Sequence, residues 1–465
     1  MAKKNKDQKE NSDLELKTII GNQITNGLGY LGGQLSDQRR KSLEYYLGDK
    51  LGTEIDGRSQ VVSTDVSDTI ESLLPNLLRV FTASDNVVRC EPMTAEDVPM
   101  ADQATAYLNH VFYKENDGFQ LLYNFFKDAL IEKNGFLKIY WDDSEKVDYE
   151  TYENLSPVEK EALQDTKDEI EIVDEEVFED EDAKEQFEAT LAQYEAQGMD
   201  VSQIQVPNFN LYNCKIKRIK KTGKVKIESV PPEEFLIERN AKTIDDADFV
   251  AHKVLMTRSD LVSMGYSQDE VDELPKSDLD IYNNEEIVRM RDIDNYNIST
   301  PTDSSTEKVL IYECYIKYDY DGDGIAELRK VVAAGSDGSH ILSNMPCDNI
   351  PFVTVTPIPM PHRFYGRSIS ELVEDVQLMK STVMRQLLDN MYLTNNNRVA
   401  IMDGMVNMDD LLTTRPGGIV RTKQPPNQVL QPLQAQPISQ QAFPLLSYLD
   451  SVREGRTGVS KEAQG

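Results

Sequence analysis

The chain has 465 residues, 81 of them acidic against 49 basic, for a formal net charge of −32. The length suffices for two or three domains with a real core, while the charge argues against a general nucleic-acid binder, because affinity for phosphates comes from neutralising them. Cys90, Cys214, Cys314 and Cys347 form no CxxC pair and read as reduced thiols in a cytoplasmic setting; no apolar run approaches a membrane span, and MAKKNKDQKENSD lacks a signal-peptide core.

Residues 1–12 have almost nothing to bury and read as a disordered tail. Helical spacing runs from Leu14 to about Leu51, broken by Gly27, Gly29, Gly32 and Gly33. Ser63–Phe81 predicts a helix with Ile70, Leu74 and Leu78 inward and a bend at Pro75. Amphipathic helices follow near Met100–Tyr113 and Phe119–Ile131, then an Asn134–Gly135 turn and a strand over Phe136–Trp141.

Residues 142–206 change character. Between Glu161 and Glu188 fourteen acidic side chains stand against Lys167 and Lys184, a net of −12. The segment reads as one or two charged helices inserted into the domain, a solvated surface in preference to a site for a basic partner. From Phe209 strands take over: CKIKRIKK, a Thr222–Gly223 turn and KVKIESV, with seven basic side chains from Lys215 to Lys226. They form the wet face of a hairpin or, alternatively, a site for an acidic segment or DNA phosphate.

After strands at Phe235–Glu238 and Phe249–Met256 and a short helix at Arg258–Met264, Glu307–Ala334 reads as strand, DYDGDG turn, strand. Asp319, Asp321, Asp323 and Gly324 match the first half of a calcium loop, where alternate carboxylates converge on the ion. The position that should supply a bidentate Glu is Lys330, and IAELRKVV alternates like a strand. The reading is an Asp/Gly hairpin turn, with a weak Ca2+ site as the alternative. No other cofactor is indicated. His110, His252, His340 and His362 stand in no metal-ligand or nucleophile spacing, and there is no phosphate-binding glycine motif. The sequence does not argue for an enzyme; a metal-dependent nuclease on clustered carboxylates has the least support.

The longest periodic stretch is Pro361–Asn397. Ile369, Leu372, Val376, Met379, Val383, Leu387 and Met391 recur in steps of three or four, predicting one apolar stripe on a helix of about 40 Å. Ser368 and Glu371 have capping-box spacing, and Asn395–Asn397 ends the helix. Such a stripe needs another helix or another subunit to cover it. Then come a strand at Arg398–Gly404, a short MDDLL helix or turn, a turn and strand in RPGGIVRT, an extended Gln/Pro connector over Gln424–Gln441, and a helix over Ala442–Arg453 ended by Gly455 and Gly458.

PHRFYGRSISELVEDVQLMKSTVMRQLLDNMYLTNNNR, followed by GMVNMDDLLTTRPGGIVR and LLSYLDSVREGRTGVSKEAQG, resembles the portal (head-to-tail connector) protein of short-tailed bacteriophages. RSQVVSTDVSDTIESLLPNLLRVF and YDYDGDGIAELRKV resemble the same family, in its order, across about residues 55–465. The resemblance implies an α+β, portal-like subunit with a tail (1–12), a mixed α/β wing (13–365, with the acidic insertion 142–206), a first stem helix (366–396), a small β-rich clip (397–438), and a second stem helix with the start of a tunnel loop (439–465). It implies a non-catalytic ring, usually of twelve copies, at a capsid vertex of the virion, assembled in the host cytoplasm. Double-stranded DNA would pass through it non-specifically during packaging and ejection. The implied partners are other copies, the terminase large subunit, a tail adaptor, and the major capsid and scaffolding proteins, with no membrane. Lys380, Arg385 and Arg398 become candidates to face DNA or a neighbouring subunit, the alternative being ion pairs with Glu374, Asp375 or Asp389. Asp409, Asp410, Arg415 and Arg421 become candidates for motor or adaptor docking. Family members continue with a long wing helix and a crown, so the sequence reads as a partial one. The rival reading is a calcium-dependent binding module using the DYDGDG turn.

Overall fold

The computed structural model describes all residues except 1, 51, 85, 144, 165–168, 197–207, 222, 277–283, 290–302, 414, 434–435 and 461–465. The chain is mixed α/β, with four small sheets among the described residues. It divides into a larger unit, Met1–Lys138 with Ile227–Gly465, and a smaller one, Ile139–Lys226, inserted between those two parts of the sequence.

The larger unit opens with α1 (Ala2–Tyr30), α2 (Ser36–Leu47), α3 (Asp65–Thr82), α4 (Val98–His110) and α5 (Gly118–Glu132). Helix therefore replaces the disordered tail expected over residues 1–12: Lys, Gln and Glu are good helix formers and extend the periodic run that begins at Leu14. Leu16, Ile20 and Ile24, four residues apart on α1, are fully buried. Val66, Ile70, Leu74 and Leu78 of α3 share a core with Leu43 of α2 and Leu122, Phe125 and Phe126 of α5. Pro75 sits inside α3 without ending it.

After β1 (Gly135–Asp142), the smaller unit holds β2 (Glu145–Leu155), α6 (Pro157–Gln164), β3 (Glu169–Glu179), α7 (Glu181–Ala196) and β4 (Asn210–Lys221). The acidic insertion thus holds the two helices expected, but it is not helices alone. It contributes two strands that flank β4 antiparallel, in the order β2-β4-β3. Opposite charges on neighbouring strands supply the reason: Lys217 reaches Glu171 at 3.0 Å and Arg218 reaches Glu150 at 3.0 Å. The basic run of β4 meets an acidic segment of its own chain. Residues 165–168 and 197–206 of the insertion, and Thr222 of the expected turn, lie outside the described residues. The next strand, β5 (Lys224–Val230), belongs to a different sheet from β4, so the expected hairpin does not form.

Then follow β6 (Phe235–Ile237), β7 (Phe249–Thr257), α8 (Arg258–Ser263), α9 (Gln268–Asp272), α10 (Asn284–Arg289), β8 (Lys308–Tyr318), β9 (Glu327–Ala334), β10 (His340–Pro346) and β11 (Phe352–Val355). Strands β10-β9-β8-β7-β6 form an antiparallel sheet. Its Phe235, Phe249 and Tyr312 are fully buried with the apolar face of α1. Tyr318 pairs with Glu327 across the DYDGDG turn, as the sequence predicts. β1 pairs with β11 over Gly135–Lys138.

The last third comprises α11 (Ser370–Asn395), β12 (Arg398–Ile401), α12 (Met408–Leu412), α13 (Pro426–Val429), β13 (Leu430–Leu433) and α14 (Ser439–Thr457). Ser368 and Glu371 exchange the two bonds of the expected capping box, at 3.2 and 3.3 Å. The Gln/Pro stretch is not all extended connector, because it holds α13 and β13. β13, not a strand in RPGGIVRT, is the antiparallel partner of β12. α14 runs through Gly455 and stops at Gly458, whose φ of 71° only glycine adopts without strain. Residues 461–465, expected to begin a tunnel loop, lie outside the described residues.

Candidate functional site

Helices α11 and α14 run side by side in opposite directions. Arg456 near the end of α14 bonds Asp375 at 2.6 Å, Lys380 bonds Asp450 at 2.7 Å, and Asn390 accepts from the Ile438 amide at 3.2 Å. Each step down one helix is matched by a step back on the other. With 26 residues α11 is about 39 Å long. The pair is anchored by one carboxylate: Asp65, only 1% exposed, receives Lys380 of α11 at 2.7 Å and Arg453 of α14 at 3.1 Å.

The buried face of α11 is not the apolar stripe the spacing predicts. Val373 is fully buried in the helical core, and Val376 and Leu387 are buried too, yet the same face carries buried Ser370, Gln377, Ser381 and Arg385. These polar groups stitch α11 to the extended chain before α3. The Asp389 carboxylate accepts from the Ser59 amide at 2.8 Å, Arg385 Nε donates to the Val61 carbonyl at 2.8 Å, and Ser381 Oγ accepts from the Ser63 amide at 2.9 Å. Gln377 closes the ladder, accepting from the Val66 amide at 2.8 Å and donating to the Tyr45 carbonyl at 2.9 Å. The match is geometric. Four helical residues rise about 6 Å, close to the roughly 6.6 Å of two extended residues, so Asp389, Arg385 and Ser381 meet every second backbone group, and Gln377 meets the first turn of α3 three residues on. The clue in the sequence was the four-residue recurrence Gln377, Ser381, Arg385, Asp389, which apolar periodicity overshadowed.

Two of the three predicted cations are therefore engaged within the chain. Lys380 holds Asp65 and Asp450, and Arg385 holds Thr53 and Glu54 as well as Val61. Their carboxylate partners are none of the three expected from the sequence. Arg398, at the start of β12, is exposed.

At the end where α11 stops and α14 starts, apolar side chains face solvent. Tyr392 is 68% exposed and Phe443 59%, and Tyr448, further along at the middle of α14, is 63% exposed; in the piece that joins the two helices Leu412 and Ile419 are exposed too. In this small β-rich piece Asn407 caps α12, and Arg421 grips Asp410 with two bonds, at 2.6 and 3.0 Å. That pair holds Asp410 below the usual carboxylate range. Asp409 and Arg415 are exposed.

In the DYDGDG turn the carboxylates of Asp319, Asp321 and Asp323 lie within 4.8 Å of one another. Asp319 accepts from the amides of Gly322, Asp323 and Gly324 at 2.7 to 3.1 Å, and Asp323 from Ile325 at 2.7 Å. Gly322 and Gly324 take φ of 80° and 88°. These bonds build the hairpin turn by themselves.

Sequence reasoning missed a buried charge cluster in the larger unit. Arg289 of α10 contacts Glu132 at 2.8 Å, Glu233 at 3.0 Å and Asp128 at 3.6 Å. Fully buried Arg39 donates to the carbonyls of Glu132 and Pro232, and Glu285 hydrogen-bonds Ser36. Burial pushes Asp128 up to about 6 and Glu285 up to about 7, with Arg289 and Arg39, respectively, pulling back. Burial likewise raises Glu132 well above its ordinary value. No local motif marks the group, because its members come from four separated stretches.

Set against models of known protein families, residues 16–465 match the one described as phage SU10 portal protein.

Proposed function

The chain belongs to the phage SU10 portal protein family, and from that membership we propose that its copies close into a ring at one capsid vertex, through which double-stranded DNA is packaged and ejected. In this reading α11 and α14 are the two stem helices, the β12–β13 piece with α12 is the clip, and the sheets before them are the wing. The ring has about twelve copies and no catalytic role of its own. The terminase large subunit and a tail adaptor dock on it, and the capsid and scaffolding proteins surround it.

The observation that carries the reading is the exposed apolar surface along the antiparallel helix pair and on the piece that joins its helices. Tyr392, Phe443, Tyr448, Leu412 and Ile419 expose apolar surface of the kind that marks a protein interface. A heterologous contact repeated by rotation closes into a ring. The net charge of −32 suits a passage that must let a polyanion slide without gripping it. Of the predicted cations, exposed Arg398 is the one we carry forward as facing DNA or a neighbour, and exposed Asp409 and Arg415 as docking residues. Asp410 and Arg421 hold the clip together for them. Native mass spectrometry of the purified chain tests this: a single closed oligomer near twelve copies supports it, and a monomer across micromolar concentrations contradicts it.

A further inference from the structure

One cleft carries a charge opposite to that of the chain around it. It has a volume of about 610 Å³ and is bounded by the start of α2, the Glu238–Ala241 turn and the Met360–Arg367 turn that leads into α11. That volume lies in the roughly 300–1,000 Å³ range of small-molecule sites. Lys133, Arg239, Arg363 and Arg367 line it, with Glu238 and Glu371 as the only acids among the described lining residues and His362 at its wall.

Glu371 is already occupied. One of its oxygens takes Lys133 at 2.9 Å, and the other accepts from the Ser368 amide at 3.3 Å, with Arg367 at a looser 3.8 Å. Lys133 is buried and also donates to Gln38 at 2.6 Å, which fixes the floor of the cleft. The Arg367 side chain is 48% exposed, and Arg363 is exposed as well. Lys133 and His362 are two of four described non-glycine residues with left-handed backbone, at φ 83° and 62°. Strain of that kind persists where surrounding structure enforces it, and it collects at ligand sites. Gly366 keeps the turn closed, since a Cβ there would lie 2.2 Å from the Ile358 carbonyl oxygen.

We propose that this cleft binds a small phosphate-bearing ligand, held by the guanidinium groups of Arg363 and Arg367 above the Lys133–Glu371 floor. Two planar guanidiniums suit paired bonds to phosphate oxygens better than they suit scattered carboxylates. The phosphate belongs to a free oligophosphate or to a nucleotide, two sources that the titrations separate.

Calorimetric titration of the full chain with pyrophosphate and, separately, with ADP tests the site at about 0.15 M salt, where loose surface attraction is screened. Saturable binding is expected, weakened at least tenfold by the double substitution Arg363→Ala and Arg367→Ala. Equal affinities identify bare phosphate as the ligand, and tighter ADP binding identifies a nucleotide. If the alanine pair lowers the melting temperature, Arg363→Lys with Arg367→Lys keeps the charge, loses the paired bonds, and should still weaken binding. No saturable heat with either compound, equal affinity in the folded double variant, or citrate binding as tightly as pyrophosphate would each overturn the proposal.

Discussion

Arg385 separates two accounts of the long helix. If it faced DNA or a neighbouring subunit, its removal would leave the folded subunit as stable as before. The structure instead gives it the Val61 carbonyl at 2.8 Å, Thr53 Oγ1 at 2.9 Å and the Glu54 carboxylate. Both charged side chains of that ion pair are 8% exposed. Arg385→Ala breaks a buried ion pair, which costs about 3–5 kcal/mol. At roughly 2 °C per kcal/mol for a large domain, the thermal midpoint falls by about 6–10 °C. Circular dichroism melts of the parent, Arg385→Ala and Arg398→Ala provide the assay, with the exposed Arg398 variant staying within about 0.5 kcal/mol of the parent. Adding Glu54→Gln to Arg385→Ala removes the buried negative charge and should recover part of the loss. An Arg385→Ala protein that melts with the parent would refute the ladder between α11 and the chain before α3.

The buried cluster around Arg289 has a pH signature. Because Glu285 is raised to about 7, the folded chain binds its proton more tightly than the unfolded chain does. Its contribution to stability is full below about 4.5 and is lost as the pH rises through about 7. Measured against the parent, Glu285→Gln should therefore gain stability between pH 5 and pH 8, by up to about 3 kcal/mol; an offset independent of pH would contradict this. In the DYDGDG turn the Asp319 carboxylate already serves three backbone amides, so calcium at about 1 mM, where weak extracellular modules bind, should leave the midpoint unchanged. A saturating rise abolished by Asp321→Asn would restore the calcium-site reading. Tyr448→Glu with Ile419→Glu, both at exposed positions, should dissociate the oligomer while preserving the circular dichroism spectrum, and an intact oligomer would remove this surface from the interface.

The ends of α11 were legible because Ser368, Glu371 and the Asn triplet act locally on the backbone. So was the β8–β9 hairpin, where Asp and Gly dictate the turn. What α11 buries was not legible: apolar periodicity describes a helix packed on another helix, whereas much of this one packs on an extended segment whose amides and carbonyls call for polar side chains. The acidic insertion misled for a related reason. Alternating Glu and Ile residues form a strand only once a basic strand lies beside them, and β4 arrives some forty residues later. The buried cluster depends on contacts between residues as far apart as Arg39 and Glu285, so no window of sequence contains it.

An electron-microscopic reconstruction of the purified particle, viewed down its axis, puts the central claim to its plainest test. The account expects a closed ring with α11 and α14 of every copy standing around a common hole and the β12–β13 piece at one end. Isolated subunits, or a ring whose hole is walled by the five-stranded sheet while the two helices point outward, would contradict it.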